Sequence, residues 1–167
     1  KADLTFQAYV PLGRKSVLAG RVKNGRIWGW HYSDDVAMEK FYLGGSTSMR
    51  GWDFPLQLGT DSNKYLFKFK ADTTGDIITY LPIGELIRLM TNIEYRFPVY
   101  KSVGLTFFID GAILSSNINE VVLSDFLWDG GIGITIDTPL GPARLDYAVQ
   151  FDDMKTRKIQ LGVQSLF

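Results

Sequence analysis

The chain has 167 residues, with 18 basic and 18 acidic side chains and therefore no formal net charge. Nucleic-acid-binding proteins carry a basic face, so this balance gives no reason to expect nucleic acid as a partner. With no cysteine and a single histidine, the sequence supplies neither disulfides nor a cluster of thiolate or imidazole ligands, and we expect no metal or cofactor.

Apolar and polar residues alternate with a period of two along most of the chain, and this pattern predicts about seven β-strands. Each is close to the roughly nine to eleven residues that a tilted strand needs to cross a bilayer. No apolar run approaches the roughly 18 residues of a transmembrane helix. In chain order, the predicted strands cover residues 4–10, 17–27, 86–97, 103–112, 131–137, 143–151 and 158–167.

The strand predicted at 86–97 shows the alternation most clearly. Ile93 and Tyr95 lie on one face, whereas Asn92 and Glu94 lie on the other. In a soluble sandwich or lipocalin-like barrel the polar face would meet bulk water. In a transmembrane barrel it would line a wet lumen while the apolar face meets lipid, and the aromatic content of 14% suits the aromatic girdles of such barrels. The alternation alone leaves both folds open.

The connections between the predicted strands are unequal in length. Residues 139–142 read PLGP and predict a tight turn. Residues 29–85 lack sustained alternation and predict a long loop, and a loop of this length is usually functional or disordered. Short turns at one end and long loops at the other are typical of outer-membrane barrels.

Three segments carry a more specific pattern. Residues 41–52 read FYLGGSTSMRGW, residues 107–111 read FFIDG, and residues 131–148 read GIGITIDTPLGPARLDYA. In this order they resemble the loop motif, the aromatic-x-Asp-Gly strand and the penultimate hairpin of the BamA/TamA outer-membrane assembly family, also called the bacterial surface antigen family. The residues that match the loop motif are Gly44, Gly45, Met49, Arg50, Gly51 and Trp52.

The resemblance implies an all-β fold, a transmembrane antiparallel β-barrel of sixteen strands in an integral protein of the bacterial outer membrane. The seven to eight strands of this sequence would form its C-terminal half, as a single membrane domain over residues 1–167. The loop at 29–85, which carries the Arg-Gly-aromatic motif, would fold into the lumen. The periplasmic domains of the family would lie outside this sequence.

Arg50 is the charged residue of the loop motif. A loop folded into a barrel has to pair its charge, because an unpaired buried guanidinium is costly, and the planar fork of Arg can clamp a carboxylate. Asp110 lies on the polar face of its predicted strand and stands where the family has an inward acid, so we expect Arg50 to pair with Asp110 and pin the loop. Glu94 and Asp146 are the alternative partners. The motif glycines would be hinges, namely Gly44, Gly45 and Gly51.

The last predicted strand ends on Phe167, with apolar residues at alternating positions before it, which resembles the sorting signal of outer-membrane barrels. Ser165 stands where that signal usually has a second aromatic residue. In the family, the first and last strands meet in a weak lateral seam, and a glycine weakens a strand further. The resemblance therefore implies one side of a seam at Ile159, Leu161, Gly162, Val163 and Phe167.

The resemblance also implies a non-enzymatic function, the folding or insertion of other β-barrel proteins into the outer membrane. The partners would be unfolded barrel substrates, the lipid bilayer, and periplasmic or lipoprotein accessory subunits. The alternatives are a secretion pore of the same superfamily and a small stand-alone barrel acting as a passive pore, adhesin or enzyme. A hydrolase triad would need His31, which no motif surrounds, and the acidic segment at 72–76 lacks the closing Glu of a calcium loop.

Overall fold

The computed structural model describes residues 1–13, 15–28, 39–54, 66–70, 78–82, 84–139 and 141–163, with the backbone alone for 66–70, 78–82, 120 and 123. The strands are β1 Ala2–Leu12, β2 Ser16–Arg26, β3 Leu66–Lys70, β4 Ile78–Pro82, β5 Ile87–Tyr100, β6 Val103–Ser115, β7 Leu127–Thr138, β8 Gly141–Gln150 and β9 Arg157–Gly162. Short 3-10 helices at Ile118–Glu120 and Leu123–Asp125 lie between β6 and β7. Across these ranges, no helix is long and apolar enough to cross a membrane.

Seven strands form one antiparallel sheet in the order β1-β2-β5-β6-β7-β8-β9. The prediction of an all-β fold with about seven main strands is therefore confirmed. β5, β6 and β7 run longer than predicted, because backbone pairing continues beyond the point where the side chains stop alternating. β9 ends at Gly162, and the predicted continuation to Phe167 lies outside the described residues after Val163. β1 and β9 are the two edges of this sheet.

Tight connections lie at one end of the sheet. Pairing of Leu12 with Ser16 closes β1 and β2, and pairing of Thr138 with Gly141 closes β7 and β8, which confirms the turn predicted at 139–142. Gly141 has a φ of 115°, which glycine adopts without strain. β5 contains Pro98, which has no N–H to donate, and the register with β6 shifts in a bulge after it. The longer connections all leave from the opposite end.

The long connection between β2 and β5 contains a hairpin that was not predicted from the sequence. β3 and β4 pair with each other in a separate two-stranded sheet, where a loop without strands was expected over 29–85. Five residues per strand are too few for alternation to distinguish a strand from irregular chain. The rest of that predicted loop, apart from 39–54 and 84–85, lies outside the described residues, and so do His31 and the acidic segment at 72–76.

The two faces of the sheet differ in polarity as the alternation predicted. A soluble sandwich would bury the apolar face, but here the apolar face is exposed and the polar face is buried. Exposed apolar side chains include Val22, Ile93, Phe107, Ile109, Ile132, Ile134, Leu145, Tyr147, Ile159 and Leu161. Buried polar side chains on the other face include Arg21, Asn92, Glu94, Asp110, Asp129, Arg144, Asp146 and Gln150. This is the arrangement of a barrel wall between lipid and lumen.

Candidate functional site

Residues 41–54, here named the docked loop, cover the polar face of the sheet. The loop closes on itself through a hydrogen bond from Gly45 N to Trp52 O of 2.8 Å. Gly44 and Gly45 have φ values of 101° and 80°, a backbone conformation that favours glycine. Gly51 is not in that conformation, and its role as a hinge stays a prediction. A Cβ on Gly51 would lie 2.6 Å from Cβ of Asp129, so the loop needs glycine there because it approaches β7 closely.

The docked loop has an apolar half that packs on the end of the sheet near the long connections. Four of its side chains are almost fully buried, and each buried side chain of this size contributes about 1.5–3 kcal/mol relative to exposure. Backbone hydrogen bonds of 2.9 and 3.0 Å between Phe41 and Glu85 tie the beginning of the loop to the segment before β5. The cluster consists of Phe41, Leu43, Met49 and Trp52 from the loop and Ile27, Met90, Ala112 and Leu114 from the sheet.

The polar half of the docked loop is centred on Arg50, whose side chain is completely buried. Its Nε and Nη2 donate to the two carboxylate oxygens of Asp110, each at 2.7 Å. Its Nη1 donates to Glu94 at 2.6 Å and lies 3.7 Å from a carboxylate oxygen of Asp146. The guanidinium carbon lies 3.5 Å from the ring centroid of Phe108, in a cation–π contact. Arg50 thus meets all three carboxylates that were considered as partners, and Asp110 is the bidentate one.

These neighbours keep the Arg50 guanidinium in its charged form. Burial favours the neutral form of a guanidinium, but the hydrogen bonds and negative charge of Asp110, with Glu94 and Asp146 behind it, outweigh burial and raise the pKa of Arg50 above its ordinary value.

Side chains of the sheet also hold the backbone of the docked loop. Asn92 donates 2.8 Å hydrogen bonds both to Asp110 and to Ser48 O, so one amide joins the ion pair to the loop backbone. Arg21 donates to Asn92 Oδ1 at 2.7 Å and to Thr47 O at 2.9 Å. Because buried carbonyl oxygens need a donor, these bonds fix the path of the loop backbone, in addition to the ion pair that holds its charged side chain.

Two further donors lie on the other side of Arg50. Arg144 donates to Ser46 O at 2.6 Å, and Gln150 donates to Gly51 O at 2.7 Å.

The sequence predicted no contact with the loop backbone for the side chains that hold it. Asn92, Arg144 and Gln150 stand on the predicted polar faces of their strands, so the alternation marked them as inward but could not tell which atoms they would meet. Arg21 lies in a strand whose alternation is less regular. Phe108 belongs to the aromatic-x-Asp-Gly segment, but no contact with Arg50 was expected for it.

The residues predicted for the seam lie on β9 and just after it. Ile159, Leu161 and Val163 are exposed on the apolar side, and Gly162 lies on the side of the docked loop, near Arg144. Phe167 lies outside the described residues. Among the residues that the structure describes, no three acidic or histidine side chains form a group suited to a metal ion.

Comparisons with known proteins agree with this architecture. Residues 1–165 match the family described as the Omp85 superfamily domain. The chain is 26% identical over 159 residues to the outer membrane protein assembly factor BamA of Nitratidesulfovibrio vulgaris, a match that spans 92% of this chain and 18% of that protein. Its fold is similar to the crystal structure of BamA from Haemophilus ducreyi lacking POTRA domains 1–3, with a TM-score of 0.67, 17% identity, and coverage of 95% of this chain and 33% of that one. The chain thus spans a small part of each relative's length.

Proposed function

This chain belongs to the Omp85 superfamily, and we propose that it forms part of the wall of an integral outer-membrane protein that folds and inserts other β-barrel proteins. The observation that carries this proposal is the docked loop, held on the lumenal face of a lipid-facing sheet by the buried pair of Arg50 and Asp110. A loop fixed in this way gives the lumen a defined shape while leaving the edges of the sheet available.

The proposed mechanism is strand pairing rather than covalent chemistry. In lipid, each unsatisfied backbone N–H or C=O is costly, so an incoming strand gains strongly from a partner edge. β9 is an edge of the sheet, and its outward side chains are apolar and exposed, as a strand at a lateral seam requires. A substrate strand would add to this edge by β-augmentation. Unfolded barrel proteins, the lipid bilayer and periplasmic or lipoprotein subunits are the proposed partners.

The role of Arg50 in this function is to keep the docked loop seated. Its two bonds to Asp110 need the planar fork of a guanidinium, which lysine cannot supply although it carries the same charge. Lysine at position 50 would thus retain the charge and lose the bidentate geometry.

Depletion of the full-length protein in its host tests the proposal. We expect the amount of folded, heat-modifiable β-barrel protein in the outer membrane to fall, and the wild-type gene to restore it. We expect Arg50→Lys, expressed to the same level, to restore it only in part. Unchanged levels of folded barrel proteins after depletion would refute the proposed function.

A secretion pore of the same superfamily predicts a different result in the same cells. One exported protein would accumulate in the periplasm, while folded barrel proteins would stay at their normal level. Measuring both quantities in one depletion experiment therefore separates the two functions.

A further inference from the structure

All three inward-facing positions of β9 lie against the docked loop or against the arginine that holds it. Lys158 forms an ion pair with Asp53 at the end of the loop. Gln160 Nε2 donates to Trp52 O at 3.3 Å. A Cβ on the third position, Gly162, would lie 3.5 Å from Nη2 of Arg144.

Arg144 connects the third position of β9 to the loop as well. The nitrogen nearest to Gly162 is the one that donates to Ser46 O at 2.6 Å. Its Nε lies 2.6 Å from a carboxylate oxygen of Asp146, which keeps the guanidinium in place. β9 therefore contacts the end of the docked loop directly and is linked to its first turn through Arg144.

β9 has few other restraints within the described chain. It pairs with β8 over six register positions, fewer than any other neighbouring pair in the seven-stranded sheet. Its outward residues Ile159 and Leu161 are 71% and 72% exposed, so side-chain packing on that side adds little. The lumenal contacts are consequently the main side-chain restraints on β9 among the described residues.

We propose that three contacts together form a lumenal clasp that positions β9: those of β9 with Asp53 and with Trp52 O, and the bond between Ser46 and Arg144. Seating of the docked loop then controls how readily β9 leaves its place in the sheet. The inference rests on the proposed function, in which β9 is one side of the seam. The two direct contacts of β9 with the loop are weak: Asp53 is 66% exposed and Lys158 is 32% exposed, exposed ion pairs contribute little, and the bond from Gln160 is long at 3.3 Å. Weak contacts suit a clasp that a substrate strand has to open.

Hydrogen exchange of the full-length protein in lipid nanodiscs tests the clasp. Asp53→Asn removes the ion pair, and Gln160→Met keeps side-chain length while removing the donor to Trp52 O. We expect each variant to accelerate amide exchange in residues 157–162 roughly two- to fivefold, the range that such a contact supplies, while residues 41–50 keep their protection.

Two controls belong to this experiment. The charge swap Asp53→Lys with Lys158→Asp should restore slow exchange, which a purely steric effect would not do. Asp152→Asn, the same change at an exposed acid in the β8–β9 turn, is the matched control and should leave exchange unchanged.

Two outcomes would overturn the clasp. The first is unchanged exchange of residues 157–162 when Asp53→Asn and Gln160→Met are combined. The second is an equal loss of protection in residues 41–50, which would mean that the loop itself had come away. Neither outcome bears on the depletion experiment, so a failure of the clasp and a failure of the proposed function remain distinguishable.

Discussion

At the scale of single residues, the buried charges of the docked loop are mutually dependent. Arg50 lies among three carboxylates, and Glu94 also pairs with Arg96 through its second oxygen at 2.6 Å. A buried ion pair adds little compared with an apolar pair, but removal of one partner leaves uncompensated charge and costs about 3–5 kcal/mol. The network therefore selects one position of the docked loop on the sheet, because any other position would leave buried charges unpaired.

We expect Arg50→Ala to release the docked loop without unfolding the sheet, because Asp110 would then be buried without the guanidinium that binds both of its oxygens. Limited proteolysis of the full-length protein should show faster cleavage within residues 39–54, while heat-modifiable migration of the barrel is retained. Lys155→Ala, at an exposed cation in the β8–β9 turn, is the control. If cleavage of the loop proceeds at the wild-type rate, Arg50 does not pin it.

Gly51 offers a second test, which changes no charge. In Gly51→Ala the new methyl would lie 2.6 Å from Cβ of Asp129, and overpacking of this kind costs about 1–3 kcal/mol. The same substitution at Gly20, where no atom lies within 4 Å, should be tolerated. We expect faster proteolysis of the docked loop in Gly51→Ala only. Equal cleavage in both variants would contradict the close approach to β7.

At the scale of elements, β7 forms a shallow depression in the sheet beneath the docked loop. Its inward positions include Gly131 and Gly133, and the space that side chains would fill there is taken by neighbours of Arg50. The ring of Phe108 lies 2.8 Å from where a Cβ of Gly131 would be, and a Cβ of Gly133 would meet the carboxylate of Asp146. Glycine at these positions lets the ring and the carboxylate reach Arg50.

The two glycines should respond differently to alanine. Gly131→Ala would push against the carbonyl oxygen of Tyr147, which belongs to the paired backbone and cannot move aside, whereas Gly133→Ala would displace the end of the Asp146 side chain. We expect Gly131→Ala to accelerate amide exchange in β8 and Gly133→Ala mainly to loosen the docked loop. Gly104→Ala, with its nearest atom at 3.5 Å, is the control and should change neither. Identical exchange profiles for the first two variants would contradict this distinction.

The strands were largely predictable because each satisfies one local condition, apolar residues toward lipid and polar residues toward the lumen at every second position. Strand ends were less predictable, since pairing of β7 with β6 continues through residues 127–130, where the alternation is interrupted. β3 and β4 were missed because neither is long enough to establish a period.

At the scale of the whole molecule, the sheet is the inverse of a soluble one, with apolar residues outside and a charged network inside. A cation on the outer face should therefore be far more costly than one on the inner face. Near the middle of the bilayer the cost is about 2–4 kcal/mol for Lys or Arg.

We expect Ile132→Lys, in the middle of β7 on the outer face, to lower the amount of full-length protein recovered in its folded form from outer membranes. Thr135→Lys is the matched change on the inner face of the same strand, where Glu94, Arg96, Asp137 and Arg144 line the same cavity and the new charge meets polar surroundings instead of lipid. Quantitative blotting of heat-modifiable protein compares the two. Equal recovery of both variants would mean that the outer face of β7 does not meet lipid.

The candidate site was predictable in outline through the loop motif and the inward acid Asp110. The convergence of Glu94 and Asp146 with Asp110 on the same guanidinium was not, because the three carboxylates come from three strands and meet only through the register of β5, β6, β7 and β8. The side chains that donate to loop carbonyls could not be predicted either. Every residue has a backbone carbonyl, and the sequence does not show which of them need a side-chain donor.

The sequence by itself determined the number of main strands, which face of each is polar, the tight turn before β8, and the loop motif that points to the family, because these depend on residue type and short spacing alone. Only the tertiary structure decided that Arg50 meets three carboxylates, that the loop backbone is held by side chains from β2, β5 and β8, and that β9 is clasped from the lumen. The physical reason is distance along the chain. Partners such as Arg50 and Asp110, 60 residues apart, meet only when the register of the sheet and the path of the loop are both set.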